Sequence, residues 1–495
     1  MTKEQDLELV KKYQKELRLI SNILALLTWD LETYMPKSAA NARAEQTAFL
    51  EKFYHEKINS KELFESLEKL RKENLFGEDK IIIEKFYKDV VRAKKIPKEL
   101  VEELARITPL SFSAWQEARE KNDFKIFQPY LEKIVELKRK QASYIGLPGH
   151  IYNNLLDDFE EGMTVEILTV KFRKLKEDLV KLLNEIKNSK KYRNQKLNFK
   201  GWVFPREKQM DLARDVVERM GLKNEFSRID FAEHPFEVKV GRGDVRITTN
   251  IREDPMFSFL SSVHEAGHGL YESNLPEEYS FNVLGNAPSF GLHESQSRFW
   301  ENMIAKGVPF WKYYFHKFKK EFGVNDFEKW YEDINFVNPS KIRIESDEVH
   351  YALHIILRFE IELGLLEGTI SVKDLPKIWN QKMKELFGII PENDKEGVLQ
   401  DVHWSQGYFG YFPTYILGSI YAAQIYESLK REFPQIDREI EKGDFSRISE
   451  WLKEKIHKHG KKLLAEEIIK NACGEGLNPD CYIDYLRDKY LKIYN

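Results

Sequence analysis

Apolar residues recur every three or four positions along almost all of this 495-residue chain, and that one period limits it to a mainly helical fold. Leu7, Val10, Tyr13, Leu17, Ile20, Leu24 and Leu27 trace one face of a long amphipathic helix that ends near Met35-Pro36. The same pattern predicts helices over roughly 39–75, 79–93, 98–146, 164–188, 206–220, 256–275, 290–322, 346–366, 373–387, 404–430 and 447–470. Pro97, Pro148 and Pro205 punctuate these runs, where helices begin or connections turn. One stretch breaks the period. Phe236, Val238 and Val240 alternate with Glu237 and Lys239, Gly241-Arg242-Gly243 turns, and Val245, Ile247 and Thr249 alternate again, which predicts a β-hairpin. Such an edge can hydrogen-bond an extended peptide whatever its side chains; the alternative is a hairpin that only covers a core.

Immediately after the hairpin comes His264-Glu265-Ala266-Gly267-His268. Two histidines four apart on a helix point the same way, so both imidazoles can bind one zinc ion, and Glu265 then lies beside the open coordination position. Phe257, Phe259, Leu260 and Val263 supply the apolar face of that helix, while Gly267 and Gly269 let another backbone approach closely. Glu294, inside a second helical pattern marked by Leu292, Phe299, Trp300 and Met303, is placed to be the third ligand. Two histidines and one carboxylate leave the fourth position open, as a catalytic site requires and a structural site does not. His350 and His354 share the spacing, but no glutamate follows His350. They read as packing or supporting residues.

Composition excludes other classes. Charged residues make up 32% of the chain yet nearly cancel, to a formal −3, so no basic footprint points to nucleic acid. The charged N-terminus lacks the apolar core of a signal peptide and no stretch approaches 18 apolar residues, so the expectation is a cytoplasmic protein with no membrane partner. Cys473 and Cys481 are too few for a disulfide framework and are expected as free thiols. Abundant Lys and Glu with little Cys and Met fits a thermophilic source. No repeat, low-complexity tract or flexible linker divides the chain. The reading is therefore one catalytic domain over 1–495, with its core about 234–430.

The motifs, taken in order, resemble those of the carboxypeptidase Taq family of zinc metallocarboxypeptidases. Asp244-Val245-Arg246-Ile247-Thr248 is similar to the family's D-x-R-x-T; His264 to His268 and His293-Glu294-Ser295-Gln296 follow. Ile342-Arg343-Ile344-Glu345-Ser346-Asp347 resembles I-R-x-x-A-D, with Ser346 where alanine is usual. Gly397 to Trp404 matches G-x-x-Q-D-x-H-W and runs on into Gly410-Tyr411-Phe412-Pro413-Thr414-Tyr415. Near the N-terminus, Trp29-Asp30, Met35-Pro36, Arg43 and Gln46 are similar to the family's opening signature. The resemblance implies a saddle-like helical fold with a deep groove and a homodimer. It also implies an enzyme that removes residues singly from peptide C-termini, with broad specificity and reluctance at proline. Zinc is the implied metal, with cobalt able to substitute.

Within that frame each residue has an expected role. His264, His268 and Glu294 hold the metal and Glu265 is the general base. His403, in a polar Gln-Asp-x-His run, is the first candidate to donate to the developing oxyanion. Tyr411 and Tyr415 are the others, read as four apart on the following helix, with core packing as the alternative for each. A free C-terminal carboxylate calls for a guanidinium. Arg343 is the preferred candidate and Arg246 the second, helping to close the groove. Either could instead be an ion-pair partner, to Asp347 or Asp244. Gln296 and Asp401 are candidates to orient the ligands or His403. A zinc endopeptidase or dipeptidase on the same scaffold, and a catalytically silent peptide-binding protein, are the alternatives. The presence of Glu265 argues against the silent one.

Overall fold

The computed structural model describes every residue except Met1, Lys200, Gly201, Val203 and Glu253. Helices dominate it, with one small three-stranded sheet. Two compact units divide the chain, each assembled from separated segments. The first takes Met1–Lys94, Phe199–Trp330 and Ile425–Gly476; the second takes Lys95–Asn198, Tyr331–Gln424 and Leu477–Asn495.

In the first unit the opening helix runs Lys3–Thr33, close to its predicted end, and begins in a capping box between Thr2 and Gln5. Val10 and Leu17 on its apolar face meet Leu63, Leu67, Leu70, Ile83, Phe86 and Val90 in one core. The predicted run 39–75 is two helices, Ala40–Ile58 and Lys61–Lys72, because Ser60 accepts from the Leu63 N–H and starts a new one. The hairpin forms as predicted from β2 (Glu237–Gly241) and β3 (Asp244–Thr249). A further strand, β1 (Ser227–Phe231), lies parallel to β3 and makes β3 central, so Val245, Ile247, Thr248 and Thr249 are buried. Ionic Arg228 and Asp230 hide β1 from a hydrophobic-run reading. β3 packs on the helix Pro255–Ser273, which carries both histidines of the motif.

In the second unit, the predicted run 98–146 breaks into Lys98–Lys121 and Phe124–Ile145 at Asn122, which takes the left-handed conformation with φ 54°. Pro97 stands at the N-cap of the first of these helices. The helix Glu348–Glu367, capped by Asp347, is apolar nearly all round. His350, His354, Arg358 and Glu362 nevertheless form a buried polar ladder at four-residue spacing along it. Among the described residues the short helices Asn153–Leu156, Lys190–Asn194 and Ile436–Ile440 fall outside the predicted ranges, as do Phe327–Ile334 and Pro479–Tyr494. The latter buries Tyr482, Ile483, Leu486, Tyr490 and Ile493 at three- and four-residue spacing, with the hydroxyls of Tyr482 and Tyr490 bonded to Glu348. No helix among the described residues is long and apolar enough to cross a membrane. Cys473 and Cys481 form no disulfide, as expected.

Candidate active site

Asp254 caps the Pro255–Ser273 helix by accepting from the Met256 N–H, and Ser289 caps the helix Phe290–Arg298 through the Leu292 N–H. The two helices cross at Gly267. A Cβ there would lie 2.7 Å from the Gln296 carbonyl oxygen and 2.8 Å from Ser297 Cα, so only glycine lets Glu294 come this near the histidines. The result is a convergence of three donors. Glu294 Oε2 is 3.7 Å from His264 Nε2 and 3.3 Å from His268 Nε2, and the three ligand atoms lie within 4.8 Å of one another.

The surroundings suit a cation. Burial works against a charged Glu294, but Arg298, His264 and His268 outweigh it and hold the carboxyl well below its usual range. Arg298 Nε donates to Glu294 Oε1 at 2.7 Å and Ser297 Oγ donates to Oε2 at 3.1 Å. Burial and the neighbouring His293 push His268 down to about 3, leaving its ring neutral at neutral pH with a lone pair to offer. His268 stacks on His293 at 4.5 Å, while its buried Nδ1 has no hydrogen-bond partner among the described residues. His264 Nδ1 pairs at 2.8 Å with Glu301, a carboxylate that turns the ring's Nε2 inward. Lys306 and Arg298 in turn hold Glu301. Two imidazole nitrogens and one anionic oxygen at this spacing are a donor set that fits a catalytic divalent metal. Beside them Glu265 is 8% exposed, and burial lifts its carboxyl to about 7. That is where a general base works best near neutrality.

The second unit gathers the other predicted residues. Asp401 accepts from Arg343 at one oxygen, at 3.0 Å from Nε and 2.9 Å from Nη2, and from Arg358 Nε at the other, at 2.7 Å. Gln400 Oε1 ties the same pieces together, accepting from the Arg343 backbone N–H and from Arg358, each at 2.8 Å. Two guanidiniums on one carboxylate leave a buried net positive charge. Despite its burial, Asp401 is held well below its usual range by Arg358 and Arg343. His403 is pushed down to about 3 by burial, which Asp401 opposes and Arg343 and Arg358 reinforce, so it is a neutral hydrogen-bond donor or acceptor. Its Nε2 lies 3.3 Å from the Tyr415 hydroxyl, and the Arg343 guanidinium sits 5.0 Å over the Tyr415 ring. Tyr411 precedes the helix, which starts at Pro413, rather than lying on it. Its ring still meets Tyr415 at 5.4 Å and His403 at 5.5 Å.

Other sequence candidates sit elsewhere. Arg246 donates to both oxygens of Asp244, at 2.8 and 2.7 Å, and stacks 4.2 Å over Trp29. Gln296 turns to the buried His457 at 2.9 Å rather than to a ligand. Arg343 pairs with Asp401, not Asp347, which is occupied with His350 and the helix cap. His350 and His354 are fully buried: Asp347 holds the one and the Ser340 carbonyl the other, as packing residues would be. Sequence reading missed Glu301, Arg298 and Arg358. Glu301 stands seven residues from Glu294, two turns on and on the same face, and this spacing was its signal. Arg358 was marked by charge inside an otherwise apolar helix.

A mainly helical fold carrying a two-histidine, one-carboxylate centre with a buried neighbouring glutamate defines the class of helical metallohydrolases. The family follows from likeness. The model described as carboxypeptidase Taq (M32) metallopeptidase matches residues 9–490, and the chain belongs to that family: it is a metallocarboxypeptidase. It is 39% identical to carboxypeptidase 1 of Bacillus subtilis (strain 168), covering 97% of each chain. It is also 35% identical to thermostable carboxypeptidase 1 of Thermus thermophilus, covering 100% of each. The solved structure of an M32 carboxypeptidase from Deinococcus radiodurans R1 superposes with a TM-score of 0.95 at 34% identity, over 99% of each chain.

Proposed function

We propose that this metallocarboxypeptidase is a zinc enzyme of broad specificity that removes C-terminal residues one at a time and is poor at proline. The observation that carries the metal reading is the convergence of His264 Nε2, His268 Nε2 and Glu294 Oε2 beside Glu265. Nitrogen and carboxylate donors in this number suit zinc, and cobalt accepts the same set. When bound, the ion supplies a Lewis acid that polarises the scissile carbonyl and acidifies water.

The chain's own residues do the rest. Glu265 takes the proton of the attacking water and returns it to the departing amine nitrogen, a transfer its lifted carboxyl serves in both directions. Neutral His403, with Tyr411 and Tyr415, donates to the oxygen on which negative charge grows; one such donor is worth on the order of 3 kcal/mol. The Arg343–Asp401–Arg358 cluster, with its surplus positive charge, binds the free carboxylate of the substrate. Arg343 is the arm of that cluster, because it keeps some exposed surface whereas Arg358 is wholly buried, with its nitrogens committed to Asp401, Gln400 and the His354 carbonyl. Arg246, paired to Asp244 and stacked on Trp29, is assigned to the wall rather than to the carboxylate. Broad specificity fits recognition that rests on backbone and carboxylate. A C-terminal proline makes the scissile nitrogen tertiary and fixes its ring torsion, which disfavours it. The cytoplasmic setting and the homodimer are part of the same proposal, the dimer being open to sedimentation analysis.

An end-blocking experiment tests the reading. Zinc-loaded protein, offered a peptide blocked at its N-terminus, is expected to shorten it stepwise from the free C-terminus and to spare the C-terminally amidated form. Internal cuts in both peptides would overturn it. Glu265→Gln should keep zinc and lose turnover by several orders of magnitude. Arg343→Ala should lower kcat/KM for the free-carboxylate peptide by roughly 10²-fold, as loss of a buried charge-assisted contact does. Full activity in either variant removes the role assigned to it.

A further inference from the structure

Glu362 is a carboxylate on the otherwise apolar Glu348–Glu367 helix, with none of its surface exposed. Burying a carboxylate there costs free energy that a leucine would not, so its partners must account for it. Its nearest cation, Arg358, one turn earlier, is committed to Asp401 and Gln400. What Glu362 holds instead is three neutral donors, two from side chains and one from backbone. Oε1 accepts from the Trp404 indole N–H at 2.9 Å, and Oε2 accepts from the Gly410 backbone N–H at 3.1 Å and the Tyr152 hydroxyl at 2.6 Å.

Trp404 and Gly410 are the two ends of one segment, whose outer neighbours are His403 and Tyr411. Gly410 takes φ +91°, and a Cβ on it would lie 2.7–2.8 Å from the backbone of Leu155 and Leu156, so the segment threads against that turn at a fixed depth. Tyr152, four residues before Leu156, brings the same turn to the same carboxylate. One side chain thus closes the loop between the residue before Trp404 and the residue after Gly410.

We propose that Glu362 is the positioning residue for His403 and Tyr411, fixing both hydrogen-bond donors relative to the reacting carbonyl by clamping the two ends of the segment between them. The proposal rests on the reading of His403 and Tyr411 as donors to the growing negative charge. A displacement of about 1 Å in such groups can cost on the order of 10²-fold in rate. Substrate binding through Arg343 is held by Asp401 and Gln400, not by Glu362.

The test is steady-state kinetics on the zinc-loaded full chain with Glu362→Gln, Tyr152→Phe and His403→Ala, and the double variant E362Q/H403A. Glu362→Gln is expected to lower kcat by roughly 10–100-fold with KM within about twofold, and Tyr152→Phe, which deletes one hydroxyl, by roughly 3–10-fold in the same pattern. Bound zinc, measured by elemental analysis, should stay at the wild-type level in both. In the double variant Glu362→Gln should add less than it costs alone, because one of the two groups it positions is gone and only Tyr411 remains to be displaced. Independent, multiplying losses would overturn the proposal, as would wild-type kcat in both Tyr152→Phe and Glu362→Gln. If His403→Ala itself keeps wild-type kcat, the reading of His403 as a donor fails first, and the clamp has nothing to position there. If Glu362→Gln does not fold, the kcat of Tyr152→Phe decides: a loss in the range above supports the clamp and a wild-type value overturns it.

Discussion

Glu301 and Arg298, themselves paired, support the candidate ligand set: one turns His264, the other neutralises Oε1 of Glu294. Carboxylate partners of this kind are worth about 10–100-fold in metal affinity, so Glu301→Gln is expected to release zinc that much more readily to a chromophoric chelator. An unaltered affinity would strip Glu301 of that role. Glu362 makes a prediction about stability. Burial raises its carboxyl from the usual 4.5 to about 7, against the pull of Tyr152, Trp404, Gly410 and Arg358. The fold therefore favours the protonated form, and the contribution is full below about pH 4.5 and lost as pH rises through about 7. The unfolding free energy of the wild type, relative to Glu362→Gln, should fall by roughly 3 kcal/mol across that window. Parallel pH profiles in urea titrations would refute it. At this scale the sequence singled out His264, Glu265 and His268 by their spacing on one helix, and the structure brings Glu294 to the two histidines. It could not name the partner of Arg343, since Asp401 lies far along the chain and only the fold brings it near.

Helix packing at Gly267 links element to site. The Pro255–Ser273 and Phe290–Arg298 helices approach so closely there that a methyl group would strike backbone, which cannot swing aside as a side chain can. Gly267→Ala is expected to cost about 1–3 kcal/mol in thermal or urea unfolding and to weaken metal binding as well, by moving Glu294 from the histidines. A variant with normal metal affinity would show that the approach is not needed. Gly269 faces Leu222 and Val245 side chains instead, so the same change should be milder there. Beyond Arg298 the backbone winds as a π-helix over Phe299–Ala305, and Glu301 lies within that turn. Element types were legible wherever the inner face was aliphatic. They were not legible in Ser227–Phe231, with its ionic residues, while Pro479–Tyr494 carries a periodic inner face of Ile483, Leu486, Tyr490 and Ile493 that the predicted ranges stop short of. The breaks at Ser60 and Asn122 are single-residue events inside continuous periodic patterns, which periodicity averages over.

For the whole molecule, metal removal should act locally. The three candidate ligands, Glu265, Glu301 and Arg298 belong to the first compact unit, whereas the Arg343–Asp401–Arg358 cluster belongs to the second. Binding to the native state stabilises what it touches, so chelation is expected to raise amide hydrogen exchange in Pro255–Ser273 and Phe290–Ala305. Glu348–Glu367 should change little. Equal deprotection of both would show that the metal supports the chain as a whole.

The amino-acid order by itself determined that the chain is helical, that a hairpin precedes the helix of His264 and His268, and that these two histidines share a helix face with Glu265 next to the first. Those are consequences of periods two, three and four, which are local. Tertiary structure alone decided that β3 is a central strand, that Asp401 carries two arginines, and that Glu362 clasps both ends of the Trp404–Gly410 segment. Each of those depends on groups distant in sequence meeting in a place from which water is excluded. There an unpaired charge or N–H is costly, and a polar residue's partner is set by packing rather than by spacing.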